Sequence, residues 1–162
     1  MTKATDYKPS GTHTITPHLV IKNLAKAIEF YKKAFGAEEL YRMPTPDGRL
    51  MHACMQFGDS RVFFADEFPE HKRHYGSPET IGGKHMTMHM YVPNTDEAFK
   101  RAIEAGAKEE MPPADMFWGD RYARVIDPFG QPWSLAMHQE DLTPEEMQKR
   151  SAEYMKQPAA AK

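Results

Sequence analysis

Ile15-Thr16-Pro17-His18-Leu19-Val20-Ile21 and Met86-Thr87-Met88-His89-Met90-Tyr91-Val92 are two versions of one segment, set 71 positions apart at His18 and His89. Each runs into an asparagine (Asn23, Asn94), then a helical pattern, then a stop at Gly36 or Gly106. Repetition at a fixed period defines the building unit of a chain. Two copies are too few for a solenoid, which needs about three or more to bury its core. The expected product is one pseudo-twofold domain with a cleft where the copies meet.

Working outward, Thr14 to Ile21 alternates, with Thr14, Thr16, His18 and Val20 on one face and apolar residues on the other. Period-two alternation marks a strand with one dry face. Asn23 is placed to cap a helix from Leu24 to Phe35, which Gly36 ends in the left-handed conformation. Strands follow at Glu38–Met43, Arg49–Phe57 and Arg61–Glu67, separated by a Pro-Thr-Pro-Asp-Gly turn and a Gly-Asp-Ser hairpin. Phe68 to Lys84 is a charged linker containing the run Glu70–His74. In the second copy, Asn94-Thr95-Asp96-Glu97 reads as a capping box. Its helix ends at Gly106, and strands follow at Ala107–Met111, Arg121–Asp127 and Pro132–His138. Met86, Met88 and Met90 read as core filler beneath the helix. Thr143-Pro144-Glu145-Glu146 opens a terminal helix running to about Lys156.

The fold class expected is therefore α+β: two tandem βαβββ units forming a curved mixed sheet around a cleft, plus a C-terminal helix. The expected layout is a flexible arm (1–13), one domain (14–140) and a C-terminal helix with tail (141–162). Within the domain, units 14–67 and 85–138 flank the linker 68–84.

Composition narrows the function. A chain of 162 residues fits one domain. A net charge of −2 gives no electrostatic footprint for nucleic acid or anionic membrane. One cysteine, Cys54, allows no intramolecular disulfide, and the polar start lacks a signal-peptide apolar region. The expectation is a cytoplasmic protein.

With the repeat and its caps in place, the chain resembles the vicinal-oxygen-chelate superfamily of glyoxalase I, bleomycin- and fosfomycin-resistance proteins and extradiol dioxygenases. The likeness rests on Ala27-Ile28-Glu29-Phe30-Tyr31 leading to Phe35-Gly36-Ala37, Glu97-Ala98-Phe99 leading to Gly106-Ala107, and Asp127-Pro128-Phe129-Gly130 with Trp133. Trp118-Gly119-Asp120-Arg121-Tyr122, Pro132-Trp133-Ser134-Leu135 and the long linker narrow it to the PhnB-like, glyoxalase-like branch. The resemblance implies subunits that pair or exchange halves, hence a homodimer. It also implies four groove-facing metal ligands in the metal-using members. Those positions fall here at Thr16, Thr87, Ser134 and near Phe64 to Asp66. Hydroxyls are poor ligands for divalent metals, which want imidazole or carboxylate, so the usual set is absent.

The candidate catalytic groups are His18, His52 and His89. His18 and His89 share a strand face with the vacated positions, about 6–7 Å further along. One alternative places a single divalent metal (zinc, iron, nickel or manganese) at His18 and His89, completed by Asp66, His52 or His138. A blander one makes the two histidines a pair hydrogen-bonding across the strand junction. Phe64, Asp66, Trp118, Asp120, Arg121 and Ser134 are the candidate substrate contacts. Arg121 can grip a carboxylate or phosphate and Trp118 can cover an aromatic ring; alternatively Asp120 and Arg121 form an ion pair that anchors the loop. Cys54 reads either as a small buried hydrophobe or as a thiol activated by His52.

Three functions follow from these readings. One is a small-molecule cleft without a cofactor, acting by sequestration or metal-free acid–base chemistry. Another is a metal-dependent lyase, isomerase or dioxygenase. The third is an interaction module that docks a partner through its terminal helix.

Overall fold

The computed structural model describes residues 7, 9–70, 76–83 and 86–156. The arm before Tyr7 with position 8, the charged run at 71–75, positions 84–85 where the second copy is expected to open, and the tail after 156 lie outside the described residues. The chain forms two units, one of Met1–His85 with Pro128–Gly130, the other of Met86–Asp127 with Gln131–Lys162. Each is a four-stranded mixed sheet with helices, as the repeat requires.

The first unit comprises β1 (His18–Val20), α1 (Leu24–Phe35), β2 (Glu38–Pro44), β3 (Leu50–Phe57), β4 (Ser60–Ala65) and a four-residue helix α2 (Pro78–Ile81) within the linker. Its strand order is β1-β4-β3-β2, with β1 parallel to β4 and the other pairs antiparallel. β1 is shorter than the alternation suggests because Pro17 has no N–H to give a ladder; its carbonyl still accepts from Phe63 N–H. Register puts Leu19 beside Phe64 and Phe64 beside Ala53 on one face. Against that face α1 buries Ala27, Ile28, Tyr31 and Ala34, with the Tyr31 and Phe64 rings 5.4 Å apart. Full burial of each large apolar side chain contributes roughly 1.5–3 kcal/mol.

Asn23 does not cap α1. It sits in the left-handed region (φ 62°) and makes no side-chain bond to the helix. The cap comes from Asp66, just past β4, whose carboxylate accepts from Leu24 N–H at 2.9 Å and from Leu50 N–H at 2.7 Å. The described part of the arm is pinned as well: Arg61 Nη1 donates to Ser10 O at 2.6 Å, and Thr12 is buried.

The second unit repeats the order with β5 (Met88–Tyr91), α3 (Thr95–Ala105), β6 (Lys108–Asp115), β7 (Asp120–Ile126), β8 (Pro132–His138) and α4 (Pro144–Met155). Its strand order is β5-β8-β7-β6, again with a parallel first pair. β6 runs on through Pro112 and Pro113, which an end strand with a shifted register tolerates because no ladder donor is lost there. Asn94 caps α3 as expected, its side chain accepting from Glu97 N–H at 3.1 Å. Met88 and Met90 are half-buried, whereas Met86 is 44% exposed rather than core. The reciprocal capping box of α4 forms at Thr143 and Glu146. The helix turns its Met147, Arg150, Ser151 and Tyr154 stripe to its own unit, where Tyr154 meets the Phe117 ring at 5.0 Å.

Candidate functional site

The face of the first sheet opposite α1 holds the chemistry of that unit. Pairing of His18 with Phe63, Phe63 with Cys54 and Cys54 with Tyr41 sets these four side chains on one surface, joined by His52 two residues before Cys54. The His18 and His52 rings meet edge to face at 5.6 Å, and Phe63 closes on His52 at 5.0 Å. Tyr41 Oη lies 3.1 Å from His52 Nε2. The tautomer that lets the phenol donate puts the imidazole proton on Nδ1.

Electrostatics keep this pair neutral. Desolvation lowers the pKa of His18. His52 is lowered first by desolvation and then by the like charge that His18 would carry. Two uncharged imidazoles near pH 7 are proton acceptors. Cys54 is buried, and desolvation raises its thiol pKa against a smaller opposing effect of Arg61, so it packs as a hydrophobe.

Two expected contacts do not reach this face. Phe64 points the other way, wholly buried against Tyr31, because neighbouring residues on a strand alternate. Asp66 is 7% exposed with both carboxylate oxygens bound to backbone N–H groups, so it serves the fold.

Beside Phe63 the arm borders an open cleft of about 360 Å³, lined by Tyr7, Pro9, Thr12, His13, Thr14, Thr16 and Phe63. Sequence reading missed Phe63, Tyr41 and this cleft. The parity of Phe63 with His18 depends on strand register, which alternation within one strand does not encode.

In the second unit His89 stands on β5 with Ser134 beside it on β8, and Ser134 Oγ lies 2.8 Å from His89 Nδ1. Ser134 is 1% exposed, so it orients the imidazole rather than touching a substrate. Tyr91 and Tyr122 flank the His89 ring at 4.8 and 6.1 Å. Trp118 meets Tyr122 at 5.4 Å and donates from Nε1 to Asp120 at 3.0 Å. Asp120 is buried and also holds His138 Nδ1 at 2.9 Å. Asp120 therefore does not pair with Arg121. Register places Arg121 on the opposite face from Tyr122, where its guanidinium binds Asp96 at 2.7 Å and Asp115 at 3.2 Å. Those carboxylates, Asp96 first, raise the Arg121 pKa and occupy the donors a substrate anion would need.

A divalent metal does not fit the residues at the expected ligand positions. Thr16 Oγ1 donates to His13 O, Ser134 Oγ is engaged by His89, and the Asp66 carboxylate is consumed by two amides. Among the described residues no group of three or more His, Cys, Asp or Glu has a metal-holding arrangement.

The duplicated βαβββ order and paired strand registers agree with sequence comparison. The Glyoxalase/Bleomycin resistance protein/Dioxygenase superfamily profile matches residues 12–135, and the chain belongs to that superfamily. It is 41% identical over 135 residues to an uncharacterised protein of Mycobacterium bovis, covering 83% of this chain and 89% of that one. Among solved structures it is similar to TioX from Micromonospora, with 26% identity, a TM-score of 0.63, and coverage of 78% of this chain and 98% of the other. The fold is also shared with the PhnB protein from Bacillus cereus at 17% identity and a TM-score of 0.58, covering 77% and 99%.

Proposed function

We propose that this protein binds a small organic molecule against the polar face of its first sheet, with the His18–His52 pair as a metal-free proton acceptor. The observation that carries this reading is the edge-to-face contact of the two rings at 5.6 Å, with both imidazoles held below their ordinary pKa. An acidic O–H or C–H of a bound ligand would find an uncharged nitrogen there, and Tyr41 fixes the orientation of His52. His89, set by Ser134, is a second acceptor on the corresponding strand of the other unit. Superfamily membership supports a small-molecule role without naming a substrate.

Thermal-shift screening of small molecules on protein purified without chelator tests the proposal, since a ligand of the native state alone raises the melting temperature. The reading expects a stabilising organic ligand whose effect shrinks in His18→Ala and His52→Gln, with no stoichiometric metal in elemental analysis. One equivalent of zinc, iron, nickel or manganese that is lost in His18→Ala would overturn it.

A cytoplasmic homodimer belongs to the same proposal. Among the described residues no helix is long and apolar enough to cross a membrane. Tyr41 and Met43, two apart on one face of β2, the end strand of its sheet, are exposed apolar side chains suited to a second copy. Light scattering at micromolar concentration should give twice the chain mass, and Met43→Lys should reduce it.

A further inference from the structure

We infer that the cleft beneath the N-terminal arm is a binding site for an aromatic compound bearing a hydrogen-bond donor, of the phenol type. The site is separate from the imidazole pair, shares only Phe63 with its surroundings, and stands whether or not His18 and His52 accept a proton. Its volume of about 360 Å³ lies within the range of small-molecule sites, roughly 300–1,000 Å³. Phe63 forms an aromatic wall, half-buried, and Tyr7 stands at the rim 89% exposed, a ring surface that a bound aromatic would cover. Among the described residues no carboxylate, ammonium or guanidinium lines the cleft, which argues against an ionic ligand.

Among the lining hydroxyls Tyr7 and Thr14 can donate or accept, whereas Thr12 and Thr16 have internal acceptors for their protons. Thr12 Oγ1 gives its only proton to Pro9 O at 2.6 Å, and Thr16 Oγ1 gives its proton to His13 O at 3.3 Å. Neither can donate to a ligand, and Thr16 retains acceptor lone pairs. A phenol O–H satisfies an acceptor there; an ether of the same shape leaves it unmatched.

The arm is held in place by means unrelated to any proton transfer. Arg61 binds Ser10 O, and Gly11 (φ +74°) lies so close to the Arg61 guanidinium that a Cβ would overlap it. The positive φ favours glycine, and a Cβ there would oblige the Arg61 guanidinium to shift. Gly11→Ala should therefore push the arm off Arg61 and widen the cleft.

The test uses 4-methylphenol and its non-donating partner 4-methylanisole, titrated into the full chain by calorimetry and by NMR. The phenol should bind about tenfold more tightly, the effect of one hydrogen bond plus an unmatched acceptor. Gly11→Ala, Arg61→Ala and Phe63→Ala should each weaken phenol binding about fivefold or more while melting stays cooperative. Loss of phenol binding in Gly11→Ala and Arg61→Ala, changes outside the His18–His52 contact, separates this site from the imidazole pair. Equal affinities for the two probes would overturn the inference, as would phenol affinity unchanged in both Gly11→Ala and Arg61→Ala.

Discussion

The carboxylate of Asp66 holds the first turn of a helix that begins 42 residues earlier, accepting from Leu24 N–H at 2.9 Å while its other oxygen takes Leu50 N–H. One buried anion thus joins the start of α1 to the start of β3, and it favours the positive end of the helix dipole. Asp66→Ala should cost about 3 kcal/mol in urea unfolding, since two buried donors lose their acceptor. Asp66→Asn keeps only one acceptor oxygen and should cost less. A neutral result for Asp66→Ala would mean that water replaces the carboxylate.

Phe63 and Phe64 are neighbours in sequence with opposite duties. Phe64→Ala opens the core beneath Tyr31 and should lower stability by about 3–5 kcal/mol. Phe63→Ala should cost much less and act on ligand binding instead. Matching losses of stability in the two variants would contradict the assignment of faces.

His18 and His52 should report on each other. Removing the like charge in His18→Ala should move the His52 titration upward, as read from its imidazole carbon shifts across pH. No upward movement would mean that desolvation alone lowers His52.

Stability should respond to pH in opposite senses at two places. His18 and His52 have folded pKa values below their unfolded ones, so their contribution is full above the unfolded value near 6.5 and is lost as pH falls through the lowered folded values. His138 is raised, first by Asp141 and then by Asp120, so its contribution is full below the unfolded value and is lost as pH rises through the folded one. Asp141 is fully exposed and salt screens it, which leaves the buried Asp120 as the durable partner. His138→Gln should flatten the alkaline side of a melting-temperature profile and spare the acid side. An unchanged alkaline side would remove His138 from the account.

The fold was legible because it rests on local signals. Strand alternation, the cap at Asn94, the stop at Gly36 and the box at Thr143 are each set by residues within a few positions of one another. What eluded the sequence depends on partners distant in the chain. Asn23 looked like the cap of α1, yet Asp66 supplies it across 42 positions. Arg121 stood next to Asp120, yet strand parity sent it to Asp96 and Asp115 on the other face. Phe64 and Asp66 turn away from the site for the same reason: the β1–β4 register, which decides parity, is a tertiary fact. His18 and His52 were legible as candidates, but their contact was not, because it joins β1 to β3 across β4.

The most direct measurement is a histidine side-chain NMR titration of the whole protein, repeated with the most stabilising small molecule from a thermal-shift screen. The account requires His18 and His52 to titrate below the ordinary imidazole value and their signals to shift when that molecule binds. Titration at or above the ordinary value, or ligand shifts that bypass both rings, would contradict it.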